Sequence, residues 1–190
     1  MSIVESSTKA RVGASARRRF RIVLIKPSHY DDDGYVIRWF RSTMPSNSLA
    51  SVYGLIMDAI DRKVLGDDVE FDVTAIDETN TRVRIPQIIR DFQREGTAGF
   101  VGLVGVQSNQ YPRALDIARP LRAAGIQTII GGFHISGLLS MFPKELMPDL
   151  QEALDMGISL FAGEAEGRMD QVLLDTNTKS LKPIYNFMNE

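Results

Sequence analysis

Two neighbouring glycines followed by a histidine are the residues best placed to meet a ligand. They stand in Thr128-Ile-Ile-Gly-Gly-Phe-His-Ile-Ser-Gly137. An apolar run leads into Gly131 and Gly132. Bare backbone at that point lets a bulky group lie against the chain, or meets the demand of a tight strand-to-helix turn. Phe133 and His134 come directly after. A second set is polar: Gln107-Ser108-Asn109-Gln110 follows the apolar run from Gly99 to Val106, which is itself interrupted by Gly102 and Gly105. A third set is Ser28, His29 and Tyr30, the acidic run Asp31-Asp32-Asp33, then Tyr35, Trp39 and Phe40. Three adjacent aspartates can ligate a hard cation or simply form a solvated turn. The fourth set is Gly163-Glu164-Ala-Glu-Gly167.

Several chemistries lack their residues. The sequence has two histidines, no cysteine and no Gly-x-Ser-x-Gly, so a nucleophilic triad has poor support. A phosphate-cradling Gly-Lys-Ser/Thr loop is absent, and the first apolar run ends in Lys26-Pro-Ser-His-Tyr30 rather than a glycine triplet. No aspartate ends the third apolar run, where a phosphoacceptor domain would carry one. What remains is a bare-backbone crevice with few catalytic groups and many aromatics, a profile suited to holding a bulky cofactor.

The elements that would position these groups follow from periodicity. Phe20–Ile25 is nearly continuously apolar, as a central parallel strand should be. Roughly twenty residues without a clear period follow, from Ser28 to Asn47; structureless loops of that length in compact domains tend to be functional. The aromatics of this loop are expected to wall a pocket. Ser46 or Ser48 can cap a helix whose apolar stripe runs from Leu49 to Val64. Val69 to Ile76 alternates and predicts an edge or half-exposed strand. A short helix with Pro86 in its first turn, a strand from Gly99, a helix from Tyr111 to Gly125 and a strand at Ile126–Ile130 come next. Pro120 sits inside its helix, where it costs about 3 kcal/mol or bends it. Helical segments near Leu138 and Pro148, a fifth strand at Ile158–Phe161 and a last helix near Arg168–Leu174 complete the pattern. Strands alternating with helices predict an α/β, doubly wound, flavodoxin- or Rossmann-like parallel sheet of five strands, in the order 2-1-3-4-5 or 3-2-1-4-5. Ligands of such sheets sit at the strands' carboxyl ends, where the strand order reverses.

Residues 1–19 read as a flexible basic arm, 20–175 as the domain, and 176–190 as a polar linker whose Tyr185 and Phe187 have no evident core to join. With 190 residues, 44% hydrophobic and 24% charged, the chain can bury an ordinary core. A net charge of −2 offers no reason to expect a nucleic-acid partner, and no apolar run is long enough for a membrane span. Without a secretory signal or cysteines, a cytoplasmic location is the simplest expectation.

The strand-Gly131-Gly132-Phe-His134 element, followed some thirty residues later by Gly163-Glu-Ala-Glu-Gly167, resembles the N-terminal cobalamin-binding domain of cobalamin-dependent radical S-adenosylmethionine (radical SAM) enzymes. There the usual forms are Gly-Gly-Pro-His and Gly-Glu-Gly-Glu. The loop from Lys26 through Leu49 looks like one subgroup of that family, and the resemblance covers about residues 20 to 175. It implies that cobalamin is the cofactor, held with its nucleotide tail displaced from cobalt. The tail would run between sheet and helices past Ser108 and the glycine pair, and Gly105, Gln107, Asn109, Gly163 and Glu164 are further candidate cofactor contacts. Tyr30, Tyr35, Trp39 and Phe40 would close the face of the corrin, and Ser28 and His29 are further candidate cofactor contacts in the same loop. In related cobalamin binders an Asp-x-His-x-x-Gly pattern supplies a cobalt ligand. Here Pro27 and Asp32 replace the Asp and the Gly, so His29 is not expected to ligate cobalt and no residue is assigned to a metal. His134 would either donate to the cofactor or satisfy the turn backbone. The family's [4Fe-4S] cluster and S-adenosylmethionine belong to a C-terminal radical SAM domain with three cysteines. The resemblance implies such a domain as the partner, beyond the linker, since this cysteine-free chain cannot generate a radical itself. A free-standing cobalamin carrier or a flavodoxin-like nucleotide-binding domain are the alternatives.

Overall fold

A strand covered by helices on both faces must be largely apolar, and the residues from Phe20 to Ile25 meet that condition except at Arg21, whose guanidinium pairs with Asp72 and Asp91. The computed structural model describes residues 17–39, 46–94 and 97–188. In chain order its elements are β1 (Arg18–Lys26), α1 (Asn47–Asp61), β2 (Val69–Asp77), α2 (Ile85–Phe92), β3 (Thr97–Leu103) and α3 (Tyr111–Ala123). β4 (Gln127–Gly131), α4 (Phe133–Met141), α5 (Pro148–Asp155), β5 (Ser159–Ala162), α6 (Met169–Asn177) and β6 (Ile184–Asn186) follow. The strands form one parallel sheet in the order β2-β1-β3-β4-β5-β6, flanked by helices on both faces. The fold is therefore α/β, and of the two orders considered the one beginning 2-1-3-4-5 is observed. Alternating β2 is the edge strand that its pattern suggested.

The strand count needs correcting from five to six. The stretch read as linker supplies β6, which pairs with β5 at Leu160↔Ile184 and Phe161↔Tyr185. Tyr185 is 1% exposed. Its hydroxyl donates to Asp175 Oδ2 at 2.6 Å, and its ring lies 6.2 Å from that of Phe161. A three-residue strand is too short to announce itself by alternation, and only the exposed edge of β5 reveals the need for a partner.

Side-chain alternation along the central strands divides the core in two. Phe20, Ile22, Leu24 and Phe100 face α1 and α6; Val23, Ile25, Val101 and Leu103 face α2, α3, α4 and α5. The step from β1 to β2 and the step from β5 to β6 run in opposite directions across the sheet, yet α1 and α6 cover the same face. Those two crossovers therefore have opposite hands, and β5–α6–β6 is the exception to the right-handed rule. The consequence is local: α6 reaches back over β3 and stands beside α1. Arg62, at the end of α1, grips Asp170 on α6 through two bonds of 2.6 Å. Pro120, expected to kink α3, lies near its end, and the helix continues through it to Ala123.

Candidate functional site

Between α1 and α6 the carboxyl halves of the strands are left uncovered, and a cleft of about 790 Å³ opens there. Its volume lies within the range of small-molecule and cofactor sites. The floor is bare backbone at Gly102, Gly105, Gly131 and Gly132, flanked by Leu24, Phe100 and Ile129. One wall is the first half of α1, where Ser48, Ser51, Val52 and Leu55 recur at helical spacing. The opposite wall is the loop from Gly163 to Arg168 with Met169 and Val172 of α6. The far end is closed by Phe187, just past β6, whose amide donates to Ala162 O at 2.9 Å and whose ring lies 4.7 Å from the Arg168 guanidinium carbon.

The four floor glycines do not serve one purpose. At Gly102 a Cβ would meet only side-chain atoms, Leu24 Cδ2 at 3.2 Å and Phe100 Cε2 at 3.3 Å. At Gly131 it would touch Phe161 Cβ at 3.3 Å. At Gly105, whose φ is +66°, a Cβ would come within 2.9 Å of Ser48 Cβ. Gly132 is different. Its φ is +142°, and a Cβ there would collide with the Val106 amide nitrogen and lie 2.7 Å from the Gly105 carbonyl carbon. Val106 is held in that place by donating to Gly131 O and accepting from the His134 amide, both at 3.0 Å. The glycine pair thus lets the ends of β3 and β4 lock together, and its second member is required by the chain itself.

Of the residues singled out from the sequence, Gly105, Gln107, Gly131, Gly132, Phe133, Gly163 and Glu164 line the cleft. Gly163 takes φ +98°, its amide donates to Ser136 Oγ at 3.1 Å, and a Cβ there would press on the Phe187 backbone. The remaining seven do not line it. Exposed Ser108 and Asn109 sit on the turn before α3. His134 is 8% exposed and directed to the other face of the sheet. Its ring stacks on Tyr111 at 4.1 Å, Nδ1 is 3.2 Å from Ser108 Oγ, and buried Nε2 has no partner among the described residues. Burial holds its pKa below the usual histidine value, with the Asp149 charge opposing.

The first loop behaves differently from the expected aromatic wall. Ser28 is fully buried: its amide donates to Glu78 Oε2 at 3.1 Å and its hydroxyl to Ile37 O at 2.5 Å. His29 accepts from the Ile37 amide through its carbonyl at 3.0 Å. Tyr30 turns to α3, donating to Asp116 Oδ2 at 2.6 Å. Burial first, then that bond, raises its pKa. Tyr35 and Trp39 point outward, 74% and 64% exposed, and Phe40 lies outside the described residues. Asp31 explains the acidic run. Its Oδ1 accepts from the Asp33 and Tyr35 amides at 3.1 and 2.7 Å, with Gly34 at φ +84°, so the run builds a turn. Among the described residues there is no group of three or more potential metal ligands. No described helix is long and apolar enough to cross a membrane.

Sequence reasoning missed the α1 wall. Ser48 and Ser51 interrupt the apolar stripe at helical spacing, and that interruption was the available signal. Phe187 was missed because β6 was, and Phe161 was read only as part of the fifth strand. Searches with this chain against protein-family models, curated proteins and solved structures found no match.

Proposed function

We propose that this chain is a cobalamin-binding module, holding the cofactor base-off and serving a radical SAM domain. The observation that carries the reading is the cleft on the α1–α6 face. It opens at the strands' carboxyl ends, is floored by Gly102, Gly105 and Gly131, and has room for a nucleotide tail beside the sheet. The donor set suits such a tail. Leu24, Val52, Leu55 and Ile129 offer apolar contact to an aromatic base, while Ser48, Ser51 and Gln107 offer hydroxyl and amide groups to polar substituents. When bound, cobalamin supplies a cobalt centre able to carry a methyl group, and the protein's own part is to bind and orient it. His29 lies outside the cleft lining and is assigned no cobalt.

Hydroxocobalamin mixed with the protein should co-elute with it in equimolar amount on gel filtration, with a base-off absorption spectrum. Cofactor that elutes alone, with the spectrum it has in buffer, overturns the reading. Stabilisation by flavin mononucleotide in the absence of any cobalamin effect would point instead to a flavodoxin-like nucleotide-binding domain.

A further inference from the structure

A second pocket, of about 340 Å³, lies on the opposite face of the sheet from the cleft, where the loop after β1, the loop after β2 and the first turn of α3 meet. Arg38, Arg82 and Arg113 line it together with Glu78. Glu78 is 2% exposed and already committed: Arg113 binds it through Nη2 at 2.6 Å and Nε at 3.1 and 3.2 Å, and it also accepts the Ser28 amide. Burial works against the Arg113 charge, but Glu78 and the Tyr30 hydroxyl outweigh it and the net shift is upward, so the guanidinium stays charged. Among the described residues neither Arg38 nor Arg82 has a carboxylate partner. Three guanidiniums against one carboxylate leave two positive charges around one small concavity. Three separate chain segments supply them, so the juxtaposition is made by the fold.

We infer that this pocket binds a phosphate monoester. A phosphoryl group carries close to two negative charges at neutral pH, and guanidinium forks match its oxygens in charge and geometry. Arg113, fixed by Glu78, forms the rigid side of the site, and Arg38 and Arg82 supply the free forks. The rest of the lining, Val36, Val83, Ile85 and Pro86, is apolar and suits the body of the ester rather than free inorganic phosphate. The first turn of α2, at Ile85 and Pro86, carries no acidic residue to oppose an anion. This site is separate from the cleft and does not depend on what the cleft holds.

The test is a titration of the full chain with phenyl phosphate, read by phosphorus NMR and calorimetry, with benzoate as a singly charged ring-bearing control. The variants are R38Q and R82Q, both exposed positions whose folding is checked by circular dichroism. Saturable binding of phenyl phosphate that each variant weakens by about tenfold or more, with benzoate weaker, supports the site. Binding that does not saturate, that benzoate matches, or that survives unchanged in the double variant overturns it. Hydroxocobalamin co-elution should be the same for wild type and variants, which keeps this result distinct from the outcome at the cleft.

Discussion

Replacing Gly132 and Gly102 one at a time separates the glycine that the fold needs from the one that the cleft needs. For Gly132→Ala the new methyl meets backbone. An L side chain at φ +142° is strained, costing roughly 1–3 kcal/mol. Relieving the collision with Val106 must also stretch the Val106–Gly131 and His134–Val106 bonds, at about 1 kcal/mol each. The loss comes to roughly 3–5 kcal/mol, a large share of the 5–15 kcal/mol expected of a domain. With a urea slope of about 2 kcal/mol per molar, the denaturation midpoint should fall by roughly 1.5–2.5 M. Gly102→Ala meets only the ends of two side chains at ordinary φ, and removing a strand glycine offsets about 0.5–1 kcal/mol. Its midpoint should stay within about 0.5 M of wild type. Gly102→Leu then projects a side chain from the cleft floor and should leave the protein folded but unable to retain hydroxocobalamin. A Gly132→Ala midpoint equal to that of wild type would refute the account of the locked β3 and β4 ends. A folded Gly102→Leu protein that still binds cobalamin would show that the tail lies elsewhere.

Three further outcomes follow from single contacts. Tyr185→Ala should lower stability by roughly 3–5 kcal/mol in urea denaturation, because the ring fills the core under β5 and β6; a loss below about 1 kcal/mol would mean that β6 is dispensable. Glu78→Gln should cost about 2–3 kcal/mol by leaving the Arg113 guanidinium short of its counter-charge, and adding Arg113→Met should recover part of that loss in a double-mutant cycle. His134 titrates below its unfolded value of about 6.5, so the unfolded chain binds a proton that the folded one refuses. Stability should therefore be full above that pH and fall as the pH drops through the window below it. His134→Gln should lose less of its melting temperature than wild type between about pH 8 and pH 5; parallel curves would rule out this contribution.

Much of the architecture was legible because it rests on short-range rules. Near-continuous apolarity from Phe20 to Ile25 marks β1 as central, alternation marks β2 as an edge, Ser46 caps α1 by accepting from the Leu49 amide at 3.3 Å, and Pro86 stands in the first turn of α2. The half of the site made of glycines was legible for the same reason, since an L residue at Gly105, Gly132 or Gly163 would be strained whatever surrounds it. What stayed hidden depends on partners distant in the sequence. Nothing near Tyr185 says that β5 has a free edge, and nothing near Met169 says that its helix will return over β3 to stand beside α1.

The sequence by itself determined an α/β chain with bare backbone at the strands' carboxyl ends, through periodicities and torsional limits that each residue carries with it. The tertiary structure alone decided where the open space lies. By placing α6 on the α1 face it made a cleft from two helices that no local pattern pairs. By turning Tyr30 and Ser28 toward α3 and Glu78 it withdrew the first loop from that cleft, because a buried amide and a phenol take the nearest strong acceptors.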